Sequence, residues 1–232
     1  MIVERKNFVK QNNTGVLKIK NYTFERVENF KYLGAILNAD NNSQTHLQER
    51  IKNANKTYFT LQNFFKNKNI SKLKLILKNT IIDKTLTYAL ETSTLTKRER
   101  KQLNIFERKV YRRILGPVYD KGKENWRILT NEEIYANIKK PTITETIRLH
   151  RLRWFGHVQR MEENRISKRV LYMNLETIRP RGRPRNRWLD EVREDGRIVG
   201  GEEWQKKVYD REEWRRLLRT ARNHRILFMP MD

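Results

Sequence analysis

The densest run of reactive side chains in this 232-residue sequence is Arg179-Pro-Arg-Gly-Arg-Pro-Arg-Asn-Arg-Trp188. Arg179, Arg181, Arg183, Arg185 and Arg187 stand at every second position, with Gly182 among them. An Arg-Gly-Arg-Pro core can lie extended in a narrow A·T minor groove, where negative potential favours inserted arginines. The same composition fits a basic loop that grips phosphates or RNA without sequence preference, and Trp188-Leu-Asp-Glu continues into helix-like sequence. Upstream, the stretch from Arg148 to Arg187 holds eleven Arg and Lys168 against three Glu, with Trp154, Phe155 and Tyr172 between them. Cations of this kind bind a phosphate backbone, and exposed aromatics stack unpaired bases. We expect phosphate contact from the arginines and a core position for Trp154. The candidate nucleic-acid contacts are Arg151, Arg153, His157 and Arg160, together with Arg179, Arg181, Gly182, Arg183, Arg185 and Arg187.

Other chemistries find little support. His150 and His157 stand seven apart, without cysteine and without a carboxylate at ligand spacing, so a structural or phosphate-contacting role fits them better than a metal site. The seven aspartates, from Asp40 to Asp232, are scattered singly, so none are placed side by side to clamp two metal ions. No Gly-x-Ser-x-Gly elbow or phosphate-binding loop is present. We expect no catalytic residue, no metal and no cofactor.

The charge balance points the same way. With 51 Lys+Arg against 27 Asp+Glu the formal charge is +24. The excess runs along the whole chain, net +11 over residues 1–100 and +13 beyond, whereas membrane-surface proteins concentrate it on one helix or tail. The first hundred residues carry 14 Lys and 5 Arg, and the rest 9 Lys and 23 Arg. Arginine is the residue that grips phosphate bidentately and stacks on bases. The absence of cysteine excludes disulfide scaffolds and thiol catalysis. No apolar run reaches membrane-spanning length, and Met1 to Lys10 is charged where a signal peptide is apolar. RNA or DNA is the expected partner, without a membrane, and the expected location is an intracellular ribonucleoprotein, nuclear or cytoplasmic.

The elements that would position these residues are mainly helical, after a small N-terminal β edge. Val16–Ile19 and Tyr22–Val27 alternate as strands around Lys20-Asn21, and Phe30–Leu37 reads as one more short strand with Gly34 at a bulge or close backbone approach. Leu47, Ile51, Ala54, Tyr58, Leu61 and Phe65 form one helical stripe. A second helix should bury Leu73, Ile76, Leu77 and Ile81 and end near Leu90. Thr96 with Glu99 caps a third, facing inward with Leu103, Phe106, Val110 and Ile114 and stopping at Gly116-Pro117. Asn131 caps a short helix to Ile138, Thr142 with Glu145 caps the next, and Asp210 with Glu213 caps a last one burying Trp214, Leu217, Leu218 and Ala221. The domains are therefore drawn as palm-edge strands over 1–42, a helical bundle over 43–118, a linker with a short helix over 119–141, and a basic nucleic-acid-binding region over 142–232.

Several strings in order carry a wider resemblance: Phe30-Lys-Tyr-Leu-Gly34, Phe106-Glu-Arg-Lys-Val-Tyr-Arg-Arg-Ile-Leu-Gly116, Arg151-Leu-Arg-Trp-Phe-Gly-His-Val-Gln-Arg-Met161, Gly182-Arg-Pro-Arg-Asn-Arg-Trp188 and Asp210-Arg-Glu-Glu-Trp214. Together they resemble the C-terminal part of a non-LTR (LINE-type, jockey/RTE-like) retrotransposon endonuclease–reverse transcriptase, over nearly the whole chain. The resemblance implies palm-edge strands with a primer-grip-like turn at Tyr32, Leu33 and Gly34, a helical thumb over 43–116, and a C-terminal region that binds element RNA or target DNA. It also implies that the family's metal-binding aspartates, which would hold Mg, lie upstream of the matched region. Ala89-Leu-Glu-Thr-Ser93 departs from the family, which tends to have Tyr-Gly followed by Trp there. Four expectations follow: a truncated reverse-transcriptase fragment that binds nucleic acid and catalyses nothing alone; an accessory piece completing a split polymerase with separate palm and fingers; an AT-hook-like DNA-binding protein reading through Arg181, Gly182 and Arg183; or a chain that never folds stably.

Overall fold

The structure, a computed structural model, describes residues 16–19, 21–39, 43–66, 71–173 and 187–223. These residues are mainly helical, with short hairpins at the N-terminal side and in one later connection. Strands β1 (Val16–Ile19) and β2 (Tyr22–Glu25) pair antiparallel with Ile19 opposite Tyr22. Strands β3 (Asn29–Tyr32) and β4 (Ala35–Asn38) pair with Tyr32 opposite Ala35. The expected single strand through Gly34 is thus a hairpin. Its two-residue loop needs positive φ at both positions, and Leu33 (46°) and Gly34 (80°) supply it.

Helix α1 (Ser43–Thr60) and the short α2 (Gln62–Lys66) follow the expected stripe: Leu47, Ala54, Tyr58 and Phe65 are buried, with Ile51 and Leu61 packed against them. Helix α5 (Lys97–Leu115) does the same with Leu103, Phe106, Val110 and Ile114. Its Thr96–Glu99 capping box is complete, and it ends at Gly116 with φ 77°. Glu99 also accepts from the Ser43 hydroxyl at 2.7 Å, so the start of α5 is tied to the start of α1.

The helix between them corrects the expected pattern. It runs as α3 (Ser71–Leu77), a π turn over Lys78–Ile82 and α4 (Asp83–Thr87), stopping three residues before Leu90, which sits buried in a 3₁₀ turn. Leu73, Ile76 and Ile81 face solvent, whereas Lys74, Lys78, Ile82 and Leu86 are buried. A π turn holds an extra residue and rotates the following stripe relative to a regular helix. Lys78 then stands in the interior. Its ammonium lies 3.0 Å from Asp83 Oδ2, 3.2 Å from Glu107 Oε1 and 3.8 Å from the centre of the Tyr111 ring. Glu107 also accepts from the Ile143 amide at 3.2 Å and the Tyr135 hydroxyl at 3.4 Å. One buried cation therefore gathers this helix, α5, and the start of the chain's C-terminal half. Burial pushes the Glu107 and Asp83 carboxyls up, and the Lys78 charge pulls them back.

Strands β5 (Val118–Asp120) and β6 (Asn125–Arg127) form a hairpin before α6 (Asn131–Ile138). The cap of α6 is Thr130 with Glu133, one residue before the expected Asn131. Thr142 accepts from the Glu145 amide at the start of α7 (Ile143–Gln159), while the Glu145 carboxylate turns to Arg148 instead of closing a box. Helices α8 (Ile166–Tyr172), α9 (Trp188–Gly200), α10 (Trp204–Lys207) and α11 (Arg211–Asn223) complete the described chain. Asp210 caps α11 as expected, accepting from the Glu212 and Glu213 amides, and Trp214, Leu218 and Ala221 are buried. Among the described residues no helix is long and apolar enough to cross a membrane.

Helix α7 joins the two main apolar clusters. Ile143 and Ile147 lie in the cluster of α1 and α5, whereas Leu149, Leu152 and Phe155 lie in that of α9, α10 and α11. Burying residues on several sides leaves only a narrow solvent face.

Candidate nucleic-acid interface

Two of the arginines on α7 turn inward. Arg148 and Arg151 are 8% and 2% exposed. Arg148 bonds Asp195 through Nε at 2.8 Å and also pairs with Glu145. Arg151 pairs with Asp195, lies 2.8 Å from Glu191 and donates to the Ser93 carbonyl at 3.2 Å. Arg100 of α5 reaches Glu191 at 3.1 Å. Burial pushes the Glu145 and Glu191 carboxyls up, and the facing guanidiniums oppose it. The phosphate contact expected of Arg151 is therefore closed to it: its charge is spent inside, riveting α7 to α9. A buried guanidinium without these carboxylates would carry a heavy desolvation penalty.

The strings around it are also structural in part. At Gly156 an added Cβ would stand 2.3 Å from Trp214 Nε1, whose indole donates to the Leu152 carbonyl at 3.2 Å. At Gly196 it would stand 2.4 Å from the Trp204 ring. Trp188 donates to the Glu91 carbonyl at 2.8 Å, and Phe155 lies against the rings of Trp188 and Trp204. The glycine of one string thus receives the tryptophan of another. Trp154, expected in this core, is instead 41% exposed.

What remains outside is one stripe of α7. His150, Arg153, Trp154 and His157 recur at the three- and four-residue spacing of a helix face. Arg153 and His157 are exposed and His150 is half-buried. The His150 imidazole is pushed down to about 4, first by burial and then by repulsion from Lys84, Arg153 and Arg222. Helices α4 and α11 pack against α7, so Lys84, Arg153 and Arg222 all act on a histidine that burial chiefly holds neutral. A bound polyanion would relieve that repulsion. Lys84 and Arg222 were not singled out in the sequence, because nothing in the local pattern links positions so far apart.

The other expected contacts are dispersed. Arg160 is half-buried and donates to the Val208 carbonyl at 2.6 Å, and burial and Arg211 hold it below the usual arginine value. Arg187 is exposed at the start of α9. Arg179, Arg181, Gly182, Arg183 and Arg185 lie outside the described residues. The turn of Tyr32, Leu33 and Gly34 stands on α1: Arg50 donates to the Gly34 carbonyl, lies 4.7 Å from the Tyr88 ring centre and donates to His46 at 3.0 Å. Tyr32 and Leu33 are left 56% and 73% exposed. Among the described residues no group of three or more His, Asp or Glu gathers as a metal site.

The chain is 25% identical over 201 residues to an uncharacterised transposon-derived protein of Caenorhabditis elegans, with 83% of this chain and 71% of the relative covered. No family model matches the chain, and no solved structure matches it significantly.

Proposed function

We propose that this chain is the nucleic-acid-binding part of a transposon-derived, reverse-transcriptase-like protein, holding RNA or DNA on the solvent face of α7 and leaving polymerisation to another segment. The observation that carries the reading is the exposed cationic stripe of α7, Arg153 and His157 beside half-buried His150, with exposed Lys84 and Arg222 on α4 and α11, which pack against α7. A concentration of like charge costs folding energy unless a counter-ion repays it. The net charge of +24, the arginine-rich second half, the ordered strings quoted above and the similarity to a transposon-derived protein support the same assignment. Binding is assigned without catalysis because the aspartates are scattered singly and phosphoryl transfer requires carboxylates that clamp metal ions.

The test is anisotropy titration of the full chain against labelled DNA and RNA at several salt concentrations. Wild type should bind with an affinity that falls linearly in log–log salt plots. The K84E/R153E/R222E variant should lose most of that affinity and flatten the slope by about three. Equal affinity and slope in both proteins would overturn the reading.

A further inference from the structure

The α7 face carries one group that phosphate binding does not call for. Trp154 is 41% exposed in a helix whose neighbouring Phe155 fills the core, so its indole is available from solvent. It is bracketed by Arg153 and His157, whose ring centre lies 5.6 Å from its own at a tilt of 47°. Beyond His157 an open depression follows, lined among others by Arg160, Met161, Glu162, Arg165 and Ile166, with Glu162 3.9 Å from Arg165. Met161 and Ile166 offer apolar contact to a flat base, and Arg165, exposed and only loosely paired with Glu162, can exchange that pair for an attached phosphate. From His150 to Gln159 the helix rises about 13–14 Å, a length that spans two or more nucleotides of an extended strand.

Resting on the binding role proposed above, we infer that this face takes a single strand: an unpaired base stacks on Trp154, a neighbouring base enters the depression past His157, and Arg153, Arg222 and Arg165 hold the phosphates. In a duplex the base faces are already stacked on one another and only the edges and backbone are accessible, so an indole among cations gains nothing there. An unpaired base of any identity offers a π face. The site is accordingly tolerant of sequence and selective for strandedness.

The experiment compares one labelled 20-mer, free and annealed to its complement, against the full chain as wild type, W154A and W154F, with circular dichroism to confirm folding. Trp154 is exposed, so both variants should fold. The wild type should favour the single strand, W154A should lose on the order of tenfold on the single strand with little change on the duplex, and W154F should keep most of the affinity. If W154A binds both forms as wild type does, or weakens both alike while binding stays salt-dependent, the stacking site is overturned and the cationic face stands. If wild type shows no salt-dependent binding to either form, the binding role itself fails and takes this inference with it.

Discussion

Arginines three residues apart or less on α7 do opposite work. Arg151 is sealed against Asp195 and Glu191, whereas Arg153 is exposed on the same face as His150 and His157. Their truncation should therefore separate stability from binding. Arg151→Ala should destabilise the fold by about 1.5–3 kcal/mol, because it removes one of the two guanidiniums facing each of two buried carboxylates, leaving Asp195 to Arg148 and Glu191 to Arg100. Arg153→Ala should leave the urea midpoint nearly unchanged and weaken nucleic-acid binding. Equilibrium unfolding and anisotropy on both proteins check the pair, and a binding defect in Arg153→Ala that tracks lost stability would contradict the division. His150 adds a pH dependence. Its folded value of about 4 lies below the ordinary histidine value, so the neutral form is favoured in the native state. That contribution to stability is present above about pH 6.5 and is lost as pH falls through about 4. His150→Gln should flatten the urea-midpoint profile over that window.

At the scale of elements, the glycines and tryptophans decide how the helices meet. Gly156→Ala would drive a methyl into the Trp214 indole, so we expect about 1–3 kcal/mol of lost stability and altered near-UV dichroism from the tryptophan cluster. A thermal midpoint equal to wild type would show that α11 does not rest on α7 as described. This contact also marks the limit of what the sequence discloses. Helix caps and regular stripes were legible, as at Thr96–Glu99, Asp210 and Leu47 to Phe65, because they depend on neighbours within one or two turns. The π turn was not: inside it Lys78 meets Glu107, 29 residues away, and Ile82 is buried in place of Ile81, while before it Lys74 is buried and Leu73 and Ile76 face solvent. At Leu33–Gly34 alternation continues through a two-residue loop, so the pattern there is that of one strand although the chain turns into a hairpin. For the site, the spacing of His150, Arg153 and His157 was visible, but which arginines faced inward depended on Asp195 and Glu191 of another helix.

For the whole molecule, charge is sorted by depth. Acidic side chains such as Glu107, Glu145, Glu191 and Asp195 are drawn inside to neutralise Lys78, Arg148 and Arg151. Among the described residues the buried charges balance, with Glu99 beside those four carboxylates and Arg50 and Lys74 beside those three cations, so the positive excess stays outside, and α7 links the buried pairs to the exposed cations along a single helix. The central claim is that this exposed face is where nucleic acid sits. It is tested most directly by following the His150 imidazole by NMR through a pH titration, with and without a saturating single-stranded 20-mer. A polyanion on the face should offset the part of the shift that comes from Lys84, Arg153 and Arg222, burial being the larger part, and so raise the His150 midpoint above about 4. A midpoint unmoved while the oligonucleotide is fully bound would place binding elsewhere on the chain and contradict the account.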